Sequence, residues 1–145
     1  MRVLVTRAEK EGRTTAIRLE ELGHTALLEP LTTIVAVETP VLPPVETIQA
    51  VTATSLNAVE VLAGRAEIEP FRGLPFLAVG ARTAEAARVA GFADVHSADG
   101  DRRDLVRAIT SELDPAKGAI LWLVGRARAG DLVAELAPAG FTVLP

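Results

Sequence analysis

Short runs of β-branched and aliphatic residues alternate with stretches of helical apolar spacing along the whole 145-residue chain. Parallel strands cannot be joined by a tight turn. They need a crossover of a dozen or more residues, usually a helix, so this alternation restricts the fold to parallel α/β units. Strands are predicted at Val3–Thr6, Thr25–Leu28, Ala50–Thr54, Pro75–Val79, Asp94–Ser97, Ala119–Val124 and Thr142–Leu144. The clearest helix carries Leu105, Val106, Ile109 and Leu113 on one face, and another carries Leu132, Val133, Leu136 and Ala137. Thr14–Leu22 and Ser55–Leu62 share the pattern, and Ala84, Ala87 and Ala90 suggest a helix packed closely on the sheet. Pro138 falls where it removes one helical hydrogen bond, so the last helix is expected to end near it.

The units are unevenly distributed. Thr32–Pro44 reads as a stiff extended connector with Pro40, Pro43 and Pro44 and no helical period. Five strands and four helices follow from Ala50, enough for a complete doubly wound domain, whereas only one β-α-β unit precedes the connector. Two strands do not make a stable α/β domain alone, so residues 1–34 are expected to need further strands. Leu22-Gly23-His24-Thr25-Ala26-Leu27 resembles Ala139-Gly140-Phe141-Thr142-Val143-Leu144, and Val3-Leu4-Val5-Thr6-Arg7 resembles Leu121-Trp122-Leu123-Val124-Gly125-Arg126. The repeat fits either a duplicated architecture or the general likeness of all βαβ units.

Composition narrows the function. Apolar residues make up 49% of the chain, ample for a core, but aromatics only 3%, which leaves no platform for stacking bases. The net charge of -4 argues against a general nucleic-acid surface. The absence of Cys excludes disulfides, zinc clusters and thiol nucleophiles. Met1-Arg2 leads straight into an apolar strand with no signal-peptide core, and no apolar run is long enough to span a membrane, so a cytoplasmic location is expected.

Open parallel sheets bind ligands outside the carboxyl ends of their strands, so chemistry is sought in the strand-to-helix loops. These loops hold Arg7, Arg82, Arg102, Arg103, Arg126 and Arg128, which makes this edge basic although the chain is acidic. Arginine forks and free amides at helix starts suit carboxylate or phosphate. Ser55, Gly80 and Gly125 are small enough for a ligand to approach the backbone, although Ser55, Thr83 and Asp101 also suit simple helix capping. No dinucleotide, P-loop or nucleophile-elbow motif occurs. His24 and His96 lie at or within strands, where ordinary packing is expected. Asp99, Asp101 and Asp104 read as a helix cap with its first turn rather than a metal site. No acid–base pair and no metal site is predicted.

Three loops carry a resemblance. Val51-Thr52-Ala53-Thr54-Ser55-Leu56-Asn57-Ala58-Val59, Phe76-Leu77-Ala78-Val79-Gly80-Ala81-Arg82-Thr83-Ala84 and Ile120-Leu121-Trp122-Leu123-Val124-Gly125-Arg126 are similar, in order and spacing, to segments of the uroporphyrinogen-III synthase family. Val3-Leu4-Val5-Thr6-Arg7 with Leu22-Gly23-His24, and the helix-ending Ala90-Gly91-Phe92, add to the likeness. The resemblance implies an α/β fold of two flavodoxin-like parallel-sheet lobes with helices on both faces, the second inserted into the first. Residues 1–34 would start lobe one, 35–44 would link the lobes with a hinge strand at Ile34–Val37, 45–142 would form lobe two, and 143–145 would begin the return linker. It also implies a lyase that needs no cofactor and closes linear hydroxymethylbilane to uroporphyrinogen III, with inversion of the last pyrrole ring, in haem biosynthesis. The implied partner is that small tetrapyrrole, with no nucleic acid and no membrane, and the complete protein would be a monomer. Thr54, Ser55, Asn57, Gly80, Thr83, Gly125 and Arg126 would contact the substrate, mainly through backbone donors, and no catalytic side chain is assigned. A tyrosine implicated in the family's reaction usually lies just beyond the point that Pro145 matches, and the 145 residues hold no Tyr. The competing readings are a non-catalytic carboxylate- or phosphate-binding α/β module and a receiver-like domain; the latter lacks its acidic pocket.

Overall fold

A computed structural model describes residues 1–36, 38, 41–126 and 130–145. The chain divides into two compact units, Met1–Glu38 and Thr39–Pro145.

In the first unit β1 (Arg2–Val5) pairs in parallel with β2 (Thr25–Leu28), joined by α1 (Glu9–Glu21). The helix starts five residues before the predicted Thr14. Its first turns hold few apolar residues and are supported by charge instead: Arg13 meets Glu9 at 2.5 Å and Arg7 meets Glu11 at 3.2 Å. Close packing on the strands depends on Gly12, where a Cβ would lie 2.5 Å from Leu28 Cδ1. Across the pleat from that contact the register partners Leu4 and Leu27 stay 58% and 47% exposed. One helix covers one face of a two-stranded sheet and leaves the other bare.

The second unit is a five-stranded parallel sheet made of β3 (Ile48–Ala53), β4 (Phe76–Ala78), β5 (Val95–Ser97), β6 (Ala119–Leu123) and β7 (Val143–Leu144). The order across it is β5-β4-β3-β6-β7. Helices α2 (Leu56–Ala63) and α3 (Ala81–Val89) pack on one face, and α4 (Arg102–Glu112) and α5 (Leu132–Leu136) on the other. Right-handed crossovers require this division once the chain, having moved outward from β3 to β5, returns to β6.

Strand alternation assigns each side chain to a layer. Val51, Ala53, Phe76, Ala78, Leu121 and Leu123 meet Val59 of α2 and Ala84 and Ala87 of α3. Ala50, Leu77, Ile120 and Trp122 meet Leu105 and Ile109 of α4 and Leu132 and Leu136 of α5. Thr52, fully buried in β3, donates its hydroxyl proton to the Leu77 carbonyl at 2.7 Å, so its burial leaves no unmet polar group. The aliphatic, aromatic-poor core is the one composition demanded.

The doubly wound parallel architecture with helices on both faces is present as expected. Its strand order, third-second-first-fourth-fifth counted within the unit, puts the first strand at the centre, so the likeness to flavodoxin is one of layers rather than of strand order. All seven predicted strands form, with boundaries shifted by a residue or two. Pro138 does not simply stop the last helix: α5 tightens into a 3-10 turn over Ala137–Ala139 and ends at left-handed Gly140. Val143 and Leu144, read also as the start of a return linker, pair with Ile120 and Leu121 as the edge strand β7. The hinge strand expected at Ile34–Val37 is not formed over Ile34–Ala36, which have no partner strand to complete a ladder; Val37 lies outside the described residues. Among the described residues no helix is long and apolar enough to cross a membrane.

Candidate functional site

Strand register brings the three family-like loops together. Ala53 is aligned with Ala78 on one side and with Leu123 on the other. The chain therefore leaves the sheet side by side at Thr54, Val79 and Val124, with neighbouring exits about 4.8 Å apart. From the first two exits it turns into α2 and α3 on one face, and from the third into α5 on the opposite face. A crevice opens where adjacent strands send their helices to opposite sides, here between the β3 and β6 loops. Thr54, Ser55 and Asn57 stand on its one wall, Gly125 and Arg126 on the other, and Gly80 with Thr83 on the neighbouring β4 loop.

The helix starts at this edge differ. Asp101 caps α4 through Oδ1, which accepts from the N–H of Arg103 at 2.7 Å and of Asp104 at 3.1 Å, while Asp104 Oδ2 accepts from the Asp101 N–H at 2.8 Å. Asp131 caps α5 in the same way, accepting from the N–H of Val133 and Ala134. Ser55 occupies the cap position of α2 with extended backbone but makes no cap bond, and Gly80 has no side chain to cap α3. The capping reading thus holds for Asp101 and fails for Ser55 and Thr83. Ser55 leaves its hydroxyl unused for that purpose, and Thr83 lies inside the first turn, only 5% exposed. First-turn N–H groups have no acceptor in their own helix, so α2 and α3, whose first turns hold no acidic residue, present a positive end at this edge.

The arginines also separate. Arg7 belongs to the first unit and is engaged with Glu11 and Thr15. Arg102 reaches Glu135, Nε to Oε1 at 2.6 Å, and Arg103 lies near enough to Asp101 to help hold its carboxyl ionised. Arg128 lies outside the described residues. Arg82 and Arg126 are exposed and form no ion pair with described residues, so the positive edge predicted from six arginines rests on these two and the two open helix starts. Sequence reasoning named Arg82 without separating it from the others, and it missed Asp131 and Glu135. The D-L-V beginning of α5 was a capping signal for Asp131; nothing in the spacing links Glu135 to Arg102.

His96 does not pack into the core. It is half-exposed on β5 between Asp94 Oδ1, 2.8 Å from Nε2, and Glu112 Oε2, 3.0 Å from Nδ1, and so ties the edge strand to the end of α4. Among the described residues no group of acids and histidines is arranged to hold a metal ion.

Asp101 yields a pH prediction. The Asp104 N–H first, then the Arg103 N–H, holds its carboxyl below the ordinary value of 3.8. A depressed folded value means that the cap stabilises the fold above the unfolded value and is lost as pH falls through the folded one. Asp101→Ala is expected to lower the thermal midpoint at pH 7, with the gap to wild type narrowing as the pH falls below 3.8. A gap that stays constant as the carboxyl is titrated by acid would contradict the cap.

The fold thus defines the class: a doubly wound α/β protein with a crevice at its topological switch point, where such sheets hold ligands. The chain belongs to the uroporphyrinogen-III synthase HemD family, whose sequence pattern it matches over residues 13–145. It is similar in fold to uroporphyrinogen III synthase from the extremely thermophilic bacterium Thermus thermophilus. A mutant crystal form of that protein superposes with TM-score 0.59 at 23% identity, covering 100% of this chain and 60% of the other. The wild-type form superposes with TM-score 0.51 at 25% identity, covering 99% and 59%. The chain therefore spans about 60% of the length of these solved structures. No curated protein sequence matches it significantly.

Proposed function

We propose that this chain is the substrate-clamping part of a uroporphyrinogen-III synthase, a lyase that converts hydroxymethylbilane to uroporphyrinogen III. The observation that supports the proposal is that two helix starts without side-chain caps, and Arg82 and Arg126 without acidic partners among the described residues, follow three neighbouring strands, β4, β3 and β6. Hydroxymethylbilane bears eight carboxylates. Backbone amides of Leu56 to Ala58 and of Ala81 to Thr83 would receive some of them, and Arg82 and Arg126 others. Thr54, Ser55, Asn57, Gly80 and Gly125 line the approach, and Thr83, being buried, contributes its amide rather than its hydroxyl. The bilane is reactive without help, so the protein's task is to fold it back with its last ring inverted and to keep water away while the hydroxyl leaves. That task calls for clamps rather than strong acid–base groups.

In this reading residues 1–34 begin one lobe, 35–44 link, and the second unit is the other lobe. The bare Leu4 and Leu27 face supports further strands completing the first lobe. A cytoplasmic, monomeric enzyme with a soluble tetrapyrrole substrate completes the proposal. The test is the isomer formed. The complete protein, given freshly made hydroxymethylbilane, is expected to yield the ring-inverted macrocycle. Only the uninverted macrocycle, at the rate of the buffer control, would sink the enzyme reading, and retained binding of uroporphyrin would then leave a polyanion-binding module.

A further inference from the structure

Along a parallel ladder each residue turns its N–H and C=O to the same neighbouring strand, and successive residues alternate between the two neighbours. β4 follows this rule until it ends. The Phe76 N–H donates to the Asp94 carbonyl and the Ala78 carbonyl accepts from Ala98, both on the β5 side at 2.8 Å. The Val79 N–H donates on the other side, to the Ala53 carbonyl of β3 at 3.4 Å, so the Val79 carbonyl is due on that side too. It lies instead on the β5 side, where it accepts from the Gly100 N–H at 3.2 Å. A trans peptide is planar, with its N–H opposed to its C=O. The Val79–Gly80 peptide therefore points its N–H away from Gly100 and its acidic neighbours, to the side where β3 gives way to Thr54 and Ser55. No acceptor among the described residues meets it.

Gly100 is held in place from both sides. Asp99 is the one non-glycine among the described residues with positive φ, 52°. Ser97 keeps it in that conformation: its Oγ donates to Asp99 Oδ1 at 2.7 Å and accepts from the Asp99 N–H at 3.2 Å. On the other side a Cβ at Gly100 would lie 2.6 Å from Asp104 Cγ and 3.0 Å from Asp104 Cβ. The carboxylate withdraws only by giving up the Asp101 N–H, which it accepts at 2.8 Å, and Asp104 Cβ moves only with α4. At Gly80 the opposite holds. Its φ of -154° suits any residue and a Cβ would meet nothing within 4 Å, so the protein's own packing does not call for glycine there. That open space lets a ligand reach the amide.

We infer that Gly100 is a positioning residue: by holding the Val79 carbonyl it turns the Val79–Gly80 peptide and aims the Gly80 N–H as a donor to a substrate carboxylate. The inference rests on the anion-binding reading above and adds to it a residue that touches no ligand. The donor stands immediately before the open first turn of α3, whose amides it extends by one.

The test uses the 145-residue chain labelled with 15N. In the free protein the Gly100 amide is expected to exchange with solvent slowly and the Gly80 amide fast, as a bonded and an open N–H do. Adding uroporphyrin, a stable octacarboxylate, is expected to shift the Gly80 amide and slow its exchange. Gly100→Ala is expected to remove this response and to weaken uroporphyrin binding roughly tenfold, the loss of one hydrogen bond to a charged group. Asp104→Ala, which clears space for the new methyl, is expected to keep wild-type affinity alone and to restore most of it in the double variant. Asp104→Ala also removes half of the α4 capping box, so a loss of binding through instability alone would deepen in the double variant instead. A slowly exchanging Gly80 amide in the free protein overturns the turned peptide. A Gly80 amide that does not respond to bound uroporphyrin overturns its role as donor. Unchanged affinity in Gly100→Ala, or no rescue by Asp104→Ala, overturns positioning by Gly100. If Gly100→Ala does not fold, Gly80→Ala decides: it is expected to keep the urea midpoint and lose affinity, and unchanged affinity overturns the inference. A wild-type chain that does not bind uroporphyrin removes the anion-site reading, and the exchange pattern still decides whether the peptide is turned.

Discussion

Replacing Phe76 with alanine is expected to destabilise the second unit by about 3–5 kcal/mol, the range for truncating a fully buried aromatic. Phe76 opens β4, has no exposed surface, and stands edge-on to Phe92 with ring centroids 4.7 Å apart and planes at 60°. Neighbours on that face include Ala84 and Ala87 of α3, whose side chains are too short to fill the space left behind. The loss is therefore transfer energy plus an open cavity, with the edge-to-face contact to Phe92 forfeited as well. Domains of this size are stable by only about 5–15 kcal/mol, so the variant should unfold at much lower urea concentration. Trp122 is the only tryptophan, is buried in the same unit and reports the transition by fluorescence. A shift corresponding to less than about 1 kcal/mol would mean that α3 closes onto the sheet, contrary to the packing described.

Ser55→Asp is expected to move stability and binding in opposite directions. Ser55 has the extended backbone of an N-cap, φ -137° and ψ 132°, yet gives α2 no side-chain bond. An aspartate there takes up first-turn amides as Asp101 and Asp131 do for their helices, and its charge faces the positive helix end. A gain of about 0.5–1 kcal/mol in urea unfolding is expected. The same carboxylate occupies the anion position and repels an incoming one, so uroporphyrin affinity should fall roughly a hundredfold, the loss of one charge-assisted contact plus a like-charge penalty. Simple capping at Ser55 predicts the gain alone. A more stable variant that binds as well as wild type would therefore remove the open start of α2 from the site.

Most of the fold was legible because its signals are local. Alternation along Val51–Ala53, Phe76–Ala78 and Ile120–Leu123 is a property of the strand itself, and each buried face found a helix of matching period. The error at the start of α1 has a physical cause: Glu9 to Arg13 is held by charge pairs on an exposed face, which hydrophobic periodicity does not register. Pro138 could not be resolved from sequence because proline stops an α-helix but is accommodated by a tightened 3-10 turn.

The candidate site was legible in position but not in detail. The rule that open sheets bind ligands at their carboxyl edge pointed to the loops at Thr54, Gly80 and Gly125, and the register of β3 with β4 and β6 makes those loops neighbours. Which arginines serve that edge was not legible. Arg102 and Arg126 stand in similar loops, yet one is held by Glu135, far along the chain, and the other is not.

By itself the sequence determined the order of strands and helices and the aliphatic core, and it nominated the edge of the candidate site, because periodicity and loop chemistry are written in neighbouring residues. Only the tertiary structure decided that β3 lies at the centre, that α2 and α3 begin without a side-chain cap, and that Arg102 is held by Glu135. Each of these depends on partners brought together by folding, and the free energy of a charge or an open amide is set by what surrounds it in space.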